Sequence, residues 1–184
     1  MHLQQGDRRQ HTPRSARFNE RNSRRDVIDW MQGVNYGMAS SDNADAVPAY
    51  TLLEHTADIG LEARGASLEE LFANCGTGLF SLVTDLSLVK ERESRELELE
   101  AGDYESLLVR WLSRLLYFLD AEEMLFKRFD VQRLGRFRIK ATAWGEPIRR
   151  DSHDLRLAIK AVTYHKLEVQ EIDGGWRAQV YFDI

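Results

Sequence analysis

Residues 67–83 read SLEELFANCGTGLFSLV, and this stretch decides the class of fold. Ser67 followed three residues later by Glu70 is the pattern of a capping box, in which side chains satisfy free N–H groups at a helix start. Leu68, Leu71, Phe72, Cys75, Leu79, Leu82 and Val83 then share one stripe at 3.6-residue spacing, which predicts an amphipathic helix. Immediately upstream the spacing changes. Ile59, Leu61 and Ala63 alternate with Asp58, Gly60 and Glu62, the period of a half-buried strand. Tyr50–Glu54 reads as a shorter strand before a polar turn at His55–Gly60.

Downstream, Leu97 and Leu99 among Glu96, Glu98 and Glu100 predict a strand with one wet face. Asp103 caps a second helix whose stripe runs Tyr104, Leu107, Leu108, Trp111, Leu112, Leu115 and Leu119. After Asp120 the period falls to two. Strands are predicted over Leu125–Val131, Phe137–Ala143 and Leu155–Val162, the last with Leu155, Leu157, Ile159 and Ala161 inward. A final hairpin pairs Lys166–Glu171 with Trp176–Asp183 around Asp173-Gly174-Gly175, residues that tolerate positive φ. Two long amphipathic helices among seven or more strands give an α+β fold. The short connections make the sheet mainly antiparallel, with both helices packed against it on one face.

The 184 residues fit one domain of ordinary size. Residues 1–25 carry seven Arg against Asp7 and Glu20, so residues 26–184 stand near −10 within a chain of −5. An acidic folded part argues against a phosphate-binding surface of its own, so no stable direct nucleic-acid binding is expected. Residues 1–47 are polar with little apolar periodicity. They are expected to form a disordered or poorly ordered extension and linker before a domain at 48–184. That extension reads as a solvated tail, as sequence upstream of a true start at Met38, or as an RNA-tethering arm. A single cysteine points to a reducing compartment, and no apolar run is long enough to span a membrane. The expected location is the cytoplasm; oligomeric state is not legible.

Three segments carry candidate chemistry. In His55-Thr56-Ala57-Asp58-Ile59-Gly60, a carboxylate beside a glycine can present oxygen to a hard cation, although an Asp in a turn also caps its own backbone. In Val180-Tyr181-Phe182-Asp183-Ile184, Asp183 falls on the polar face, beside a terminal carboxylate if Ile184 ends the chain. Two anions so close repel unless a cation sits between them; a solvated terminus is the plain alternative. In Ile159-Lys160-Ala161-Val162-Thr163-Tyr164-His165, Lys160 is an outward lysine in an apolar strand, also readable as a snorkelling edge residue. His165 shares the parity of Leu167 and Val169 and reads as a satisfied, partly buried histidine. Cys75 and Trp111 read as core. His153 and Asp154 fall in a polar loop without an evident partner. No nucleophilic triad or acid–base pair is visible.

Together these segments resemble the archease family. The likeness rests on His55-Thr56-Ala57-Asp58-Ile59-Gly60, Glu69-Glu70-Leu71-Phe72, Leu107-Leu108-Val109-Arg110-Trp111-Leu112, Gly145-Glu146, the Lys160-Ala161-Val162-Thr163-Tyr164-His165 run and the ending at Ile184. It covers about residues 48–184. The resemblance implies an α+β domain that binds a divalent cation, calcium first and magnesium or manganese as alternatives, through Asp58, Asp183 and Ile184. Lys160 is implied beside the metal, with His165 and His55 on the same functional surface. It further implies an accessory protein rather than an enzyme. Its partner would be an RtcB-type RNA ligase of tRNA splicing or RNA repair, helped through guanylylation and multiple turnover. A general chaperone or protein-interaction module is the alternative.

Overall fold

A computed structural model of the chain describes residues 48–54 and 58–184. The extension expected over residues 1–47, and His55 with the rest of its turn, lie outside the described residues. Two helices and seven strands follow in the order β1 (Tyr50–Glu54), β2 (Asp58–Gly65), α1 (Leu68–Val83), β3 (Glu93–Glu100), α2 (Tyr104–Ala121), β4 (Met124–Gly135), β5 (Arg138–Pro147), β6 (Ala161–Ile172) and β7 (Gly175–Asp183). Every recorded strand pair is antiparallel, in keeping with the α+β class. No helix among the described residues is long and apolar enough to cross a membrane.

The strands form two sheets rather than one, ordered β1-β2-β7-β6 and β3-β5-β4. The reason lies in α1, which is apolar on more than its predicted stripe: Gly76, Gly78 and Phe80 are buried as well. A Cβ on Gly78 would come within 2.5 Å of Leu61 in β2, and one on Gly76 within 3.1 Å of Phe129 in β4. Two residues apart on a helix is about 200° around the axis, so the two glycines let opposite sides of α1 approach different sheets. A glycine inside a helix costs roughly 1 kcal/mol relative to alanine. Close packing on both sides offsets that cost. Phe80 touches Phe126 and Phe129 with ring centroids 5.5 and 6.1 Å apart, and the buried Trp111 of α2 donates its indole N–H to Phe72 O at 2.9 Å.

Local signals behave as their chemistry requires. Ser67 Oγ accepts from Glu70 N–H at 3.2 Å, and Glu70 reaches back to the N–H of Ala66 at 2.8 Å. Asp103 caps α2 by accepting from Ser106 N–H at 2.6 Å. In the last hairpin Gly174 has φ 83° and Gly175 φ 150°, as the turn chemistry predicts. One predicted strand does not form where expected. Residues 153–160 join no ladder, and β6 starts only at Ala161. Their alternating apolar residues cover the end of α1 instead. Leu157 and Ile159 are buried, Arg156 N–H donates to Val83 O, and Thr84 Oγ1 donates to Asp154 O.

Candidate functional site

The site lies at one end of the four-stranded sheet, on the face turned away from α1. Asp58 opens β2 and pairs directly with Asp183 at the close of β7, while Ala161, the first residue of β6, pairs with Asp183 from the other side. Asp58 is thus a strand residue, as its alternation with Ile59 predicts, and the turn read over His55–Gly60 stops short of it. Residues opposite one another in an antiparallel pair present side chains on the same face, about 5 Å apart at Cβ. Ile59 and Phe182, the next pair along, point the other way into the core at 6% and 0% exposure. The row Asp58–Asp183–Ala161 therefore faces solvent. Ala161 is exposed, against its predicted inward position.

The same strands explain why the row ends where it does. Lys160 lies one residue before β6, and its backbone N–H donates to Asp183 O at 2.8 Å, which extends the β6–β7 ladder by one bond. Its side chain is exposed and donates from Nζ to the main-chain oxygen of Ile184 at 2.9 Å. Asp58, Asp183, Lys160 and Ile184 are thus brought together from positions more than 120 residues apart in sequence. Asp58 and Asp183 have no ion-pair partner among the described residues. Like charges directly opposite one another destabilise a sheet, so this pairing calls for a cation.

The donor set fits a hard ion. It offers carboxylate oxygens from Asp58 and Asp183 and a main-chain oxygen from Ile184, with no thiolate near it, since Cys75 is buried in the core and its thiol is pushed up to about 12 by that burial. Among the described residues, no three His, Cys, Asp or Glu side chains gather closely enough to hold a metal. Any such centre here relies on main-chain oxygen and water beyond its two carboxylates.

Beside the row, β6 bulges. Between Thr163, opposite Tyr181, and Glu168, opposite Gln179, the four residues 164–167 stand against Val180 alone. Lys166 has φ 50°, a left-handed backbone that costs a residue with a side chain on the order of 1 kcal/mol. The bulge throws out Tyr164, 64% exposed, and His165, also exposed. This corrects the expectation that His165 is partly buried, because the extra residues break the alternation from which that parity was read. His165 and Lys166 instead lean on Tyr181, at 5.9 Å between rings and 5.8 Å from Nζ to the ring. Tyr181 lies on the outer face yet is only 7% exposed. Its ring covers Gly60, where a Cβ would approach it to 2.9 Å.

A second carboxylate centre was not legible in the sequence. Glu146 in β5 is wholly buried and accepts from Lys90 N–H at 2.8 Å. Arg92 Nε and Arg149 Nε stand 3.4 and 3.6 Å from its Oε2, and His153 Nε2 stands 3.3 Å from Oε1. His153 Nδ1 accepts from Arg149 N–H at 3.0 Å. Burial works to raise the Glu146 pKa, but the Lys90 N–H, Arg149, Arg92 and His153 outweigh it and hold the carboxyl below its ordinary range. The sequence offered Glu146 only as part of the Gly145-Glu146 motif and His153 only as a loop residue without an evident partner, with nothing to connect them. This centre fixes the 148–160 connector that ends at Lys160.

Comparison with known proteins places the chain in a group. The sequence model of the Archease protein family (MTH1598/TM1083) matches residues 50–184. The chain is 44% identical over 139 residues to the protein archease of Methanosarcina mazei, covering 73% of this chain and 95% of that one. It is 39% identical over 136 residues to the protein archease of Pyrococcus abyssi, covering 71% and 95%. The solution structure of protein 1598 of Methanobacterium thermoautotrophicum superposes with a TM-score of 0.64 at 35% identity, covering 74% of this chain and 99% of that one. The crystal structure of an archease described as a possible chaperone, from Thermotoga maritima, is 22% identical with a TM-score of 0.51, covering 77% and 99%, and supports the fold alone.

Proposed function

This chain belongs to the archease family, and from that premise we propose that it is an accessory activator of an RtcB-type RNA ligase, acting through a divalent cation held by Asp58, Asp183 and Ile184. The observation that carries the reading is the direct opposition of Asp58 and Asp183 on an exposed sheet face, beside a main-chain oxygen. The ion, calcium in the first instance, would contribute concentrated positive charge where anionic groups are handled. The chain itself supplies position. The β2–β7 register sets the two carboxylates, the Lys160–Asp183 backbone bond sets the lysine, and the bulge beside them presents Tyr164 and His165 to a partner. Its role is to promote guanylylation and turnover of the ligase rather than to make or break RNA bonds. The negative charge of residues 26–184 leaves RNA contact to that partner.

The test is ligation of cyclic-phosphate and 5′-hydroxyl RNA ends by substoichiometric ligase, with and without this protein. Multiple turnover should appear only with the protein, and Asp58→Ala should abolish it while leaving the circular dichroism spectrum unchanged. Full stimulation by that variant removes the reading. The description of the Thermotoga relative as a possible chaperone keeps a second reading in play. A general chaperone would protect unrelated proteins from aggregation and would be indifferent to Asp58.

A further inference from the structure

We propose that Lys160 is a tethered cation that shares its oxygen with the divalent ion and exchanges with it. The inference rests on the cation centre proposed above and concerns how that centre is loaded. The Lys160 ammonium donates to the main-chain oxygen of Ile184, one of the atoms offered to the ion. No other ammonium or guanidinium contacts Asp58, Asp183 or Ile184 among the described residues. An ammonium and a doubly charged ion drawn to one oxygen repel each other, and the two differ in how they are held. The ion draws on several oxygens at once. The ammonium here makes a single hydrogen bond among the described residues and sits on an exposed, unbranched stem.

What moves is confined to the side chain. The Lys160 backbone is pinned by its N–H bond to Asp183 O, and Ile159 before it is buried at 4% exposure. Arrival of the ion therefore swings the ammonium off Ile184 without moving the strand that carries it. The same residue plays two parts in sequence. Without the ion, Lys160 offsets the negative charge of the facing carboxylates. With the ion bound, its ammonium is set free beside the centre, at a fixed attachment point, to meet an anionic oxygen brought by the partner. Presentation of that ammonium is thereby conditional on the metal.

Calorimetric titration of the full chain with calcium chloride alone tests the exchange. Lys160→Met keeps the unbranched stem and removes the competitor, so it should bind calcium about tenfold more tightly than the natural chain, whereas Asp58→Asn should not bind. A second reading comes from the unsubstituted protein with its lysines 13C-dimethylated, which keeps their charge. The Lys160 methyl resonance, assigned by its loss in Lys160→Met, should move as calcium is added, while that of the exposed Lys140 stays. Equal or weaker calcium affinity in Lys160→Met, or a Lys160 resonance that does not move at saturation, overturns the exchange and leaves the Asp58–Asp183 centre standing. Failure of the unsubstituted chain to bind calcium overturns both.

Discussion

Glu146 and the Asp58–Asp183 pair are carboxylates at the ends of two different sheets, and the fold gives them opposite company. Glu146 is buried, with a backbone N–H, two guanidinium groups and an imidazole within 3.6 Å. Asp58 and Asp183 face outward and face each other, and what stands nearby is a lysine bonded to a different oxygen. The rest of the three-stranded sheet follows the first pattern. Arg138 pairs with Glu98, Lys140 with Glu96 at 3.5 Å, and Arg128 bridges Glu91 and Asp130 while its guanidinium lies 4.8 Å over Trp144. A carboxylate supplied with cations is structure. One opposed by another carboxylate is where we propose that an ion binds.

Five measurements would break or sharpen that contrast. Glu146→Ala strands a buried histidine and two arginines and should cost about 3 kcal/mol in chemical denaturation. Because the Glu146 carboxyl is held below its ordinary range, its contribution is in place above the unfolded glutamate pKa and disappears as pH falls through the lower folded value. Melting temperature should therefore drop more steeply in acid for the natural chain than for Glu146→Gln. Next, calcium at a hundredfold excess over its dissociation constant should stabilise the natural chain by about 2.7 kcal/mol, and Asp183→Asn should erase that gain. Without metal the same Asp183→Asn should be neutral or stabilising by about 0.5 kcal/mol, since it removes a like-charge pair. A loss of a kilocalorie or more there would mean that the two aspartates are structural after all. Smallest of all, Arg138→Ala on the exposed ladder should shift stability by no more than about 0.5 kcal/mol and leave ligase stimulation unchanged.

The strongly periodic elements were legible in the sequence because their signals are local. Ser67 with Glu70, and Asp103, mark helix starts through bonds spanning three or four residues. The outward positions of Asp58 and Asp183 were legible from parity on two regular strands, whereas their meeting was implied only by the family resemblance. What failed was parity carried across an irregularity. His165 was misplaced because the bulge after Thr163 resets the alternation, and nothing in Tyr164-His165-Lys166 marks a bulge. Leu155–Ile159 alternates like a strand because one side is buried, yet its backbone bonds go to the end of α1. The division into two sheets was missed because Gly76 and Gly78 read as interruptions of a stripe rather than as contact points. The Glu146 centre was missed because its partners come from two loops, one of them more than fifty residues upstream.

Strand β7 lies between β2 and β6 although it follows both in the chain. On a translating ribosome, β2 therefore emerges with β1 along one side and an open edge along the other. That edge waits through two helices and four strands before its neighbour is made. Until then it presents unpaired amides that invite association with other chains. Insertion of β7 closes this gap and in the same step sets Asp183 against Asp58. The proposed cation centre would therefore form only once β7 is in place, because one of its two carboxylates arrives with that strand.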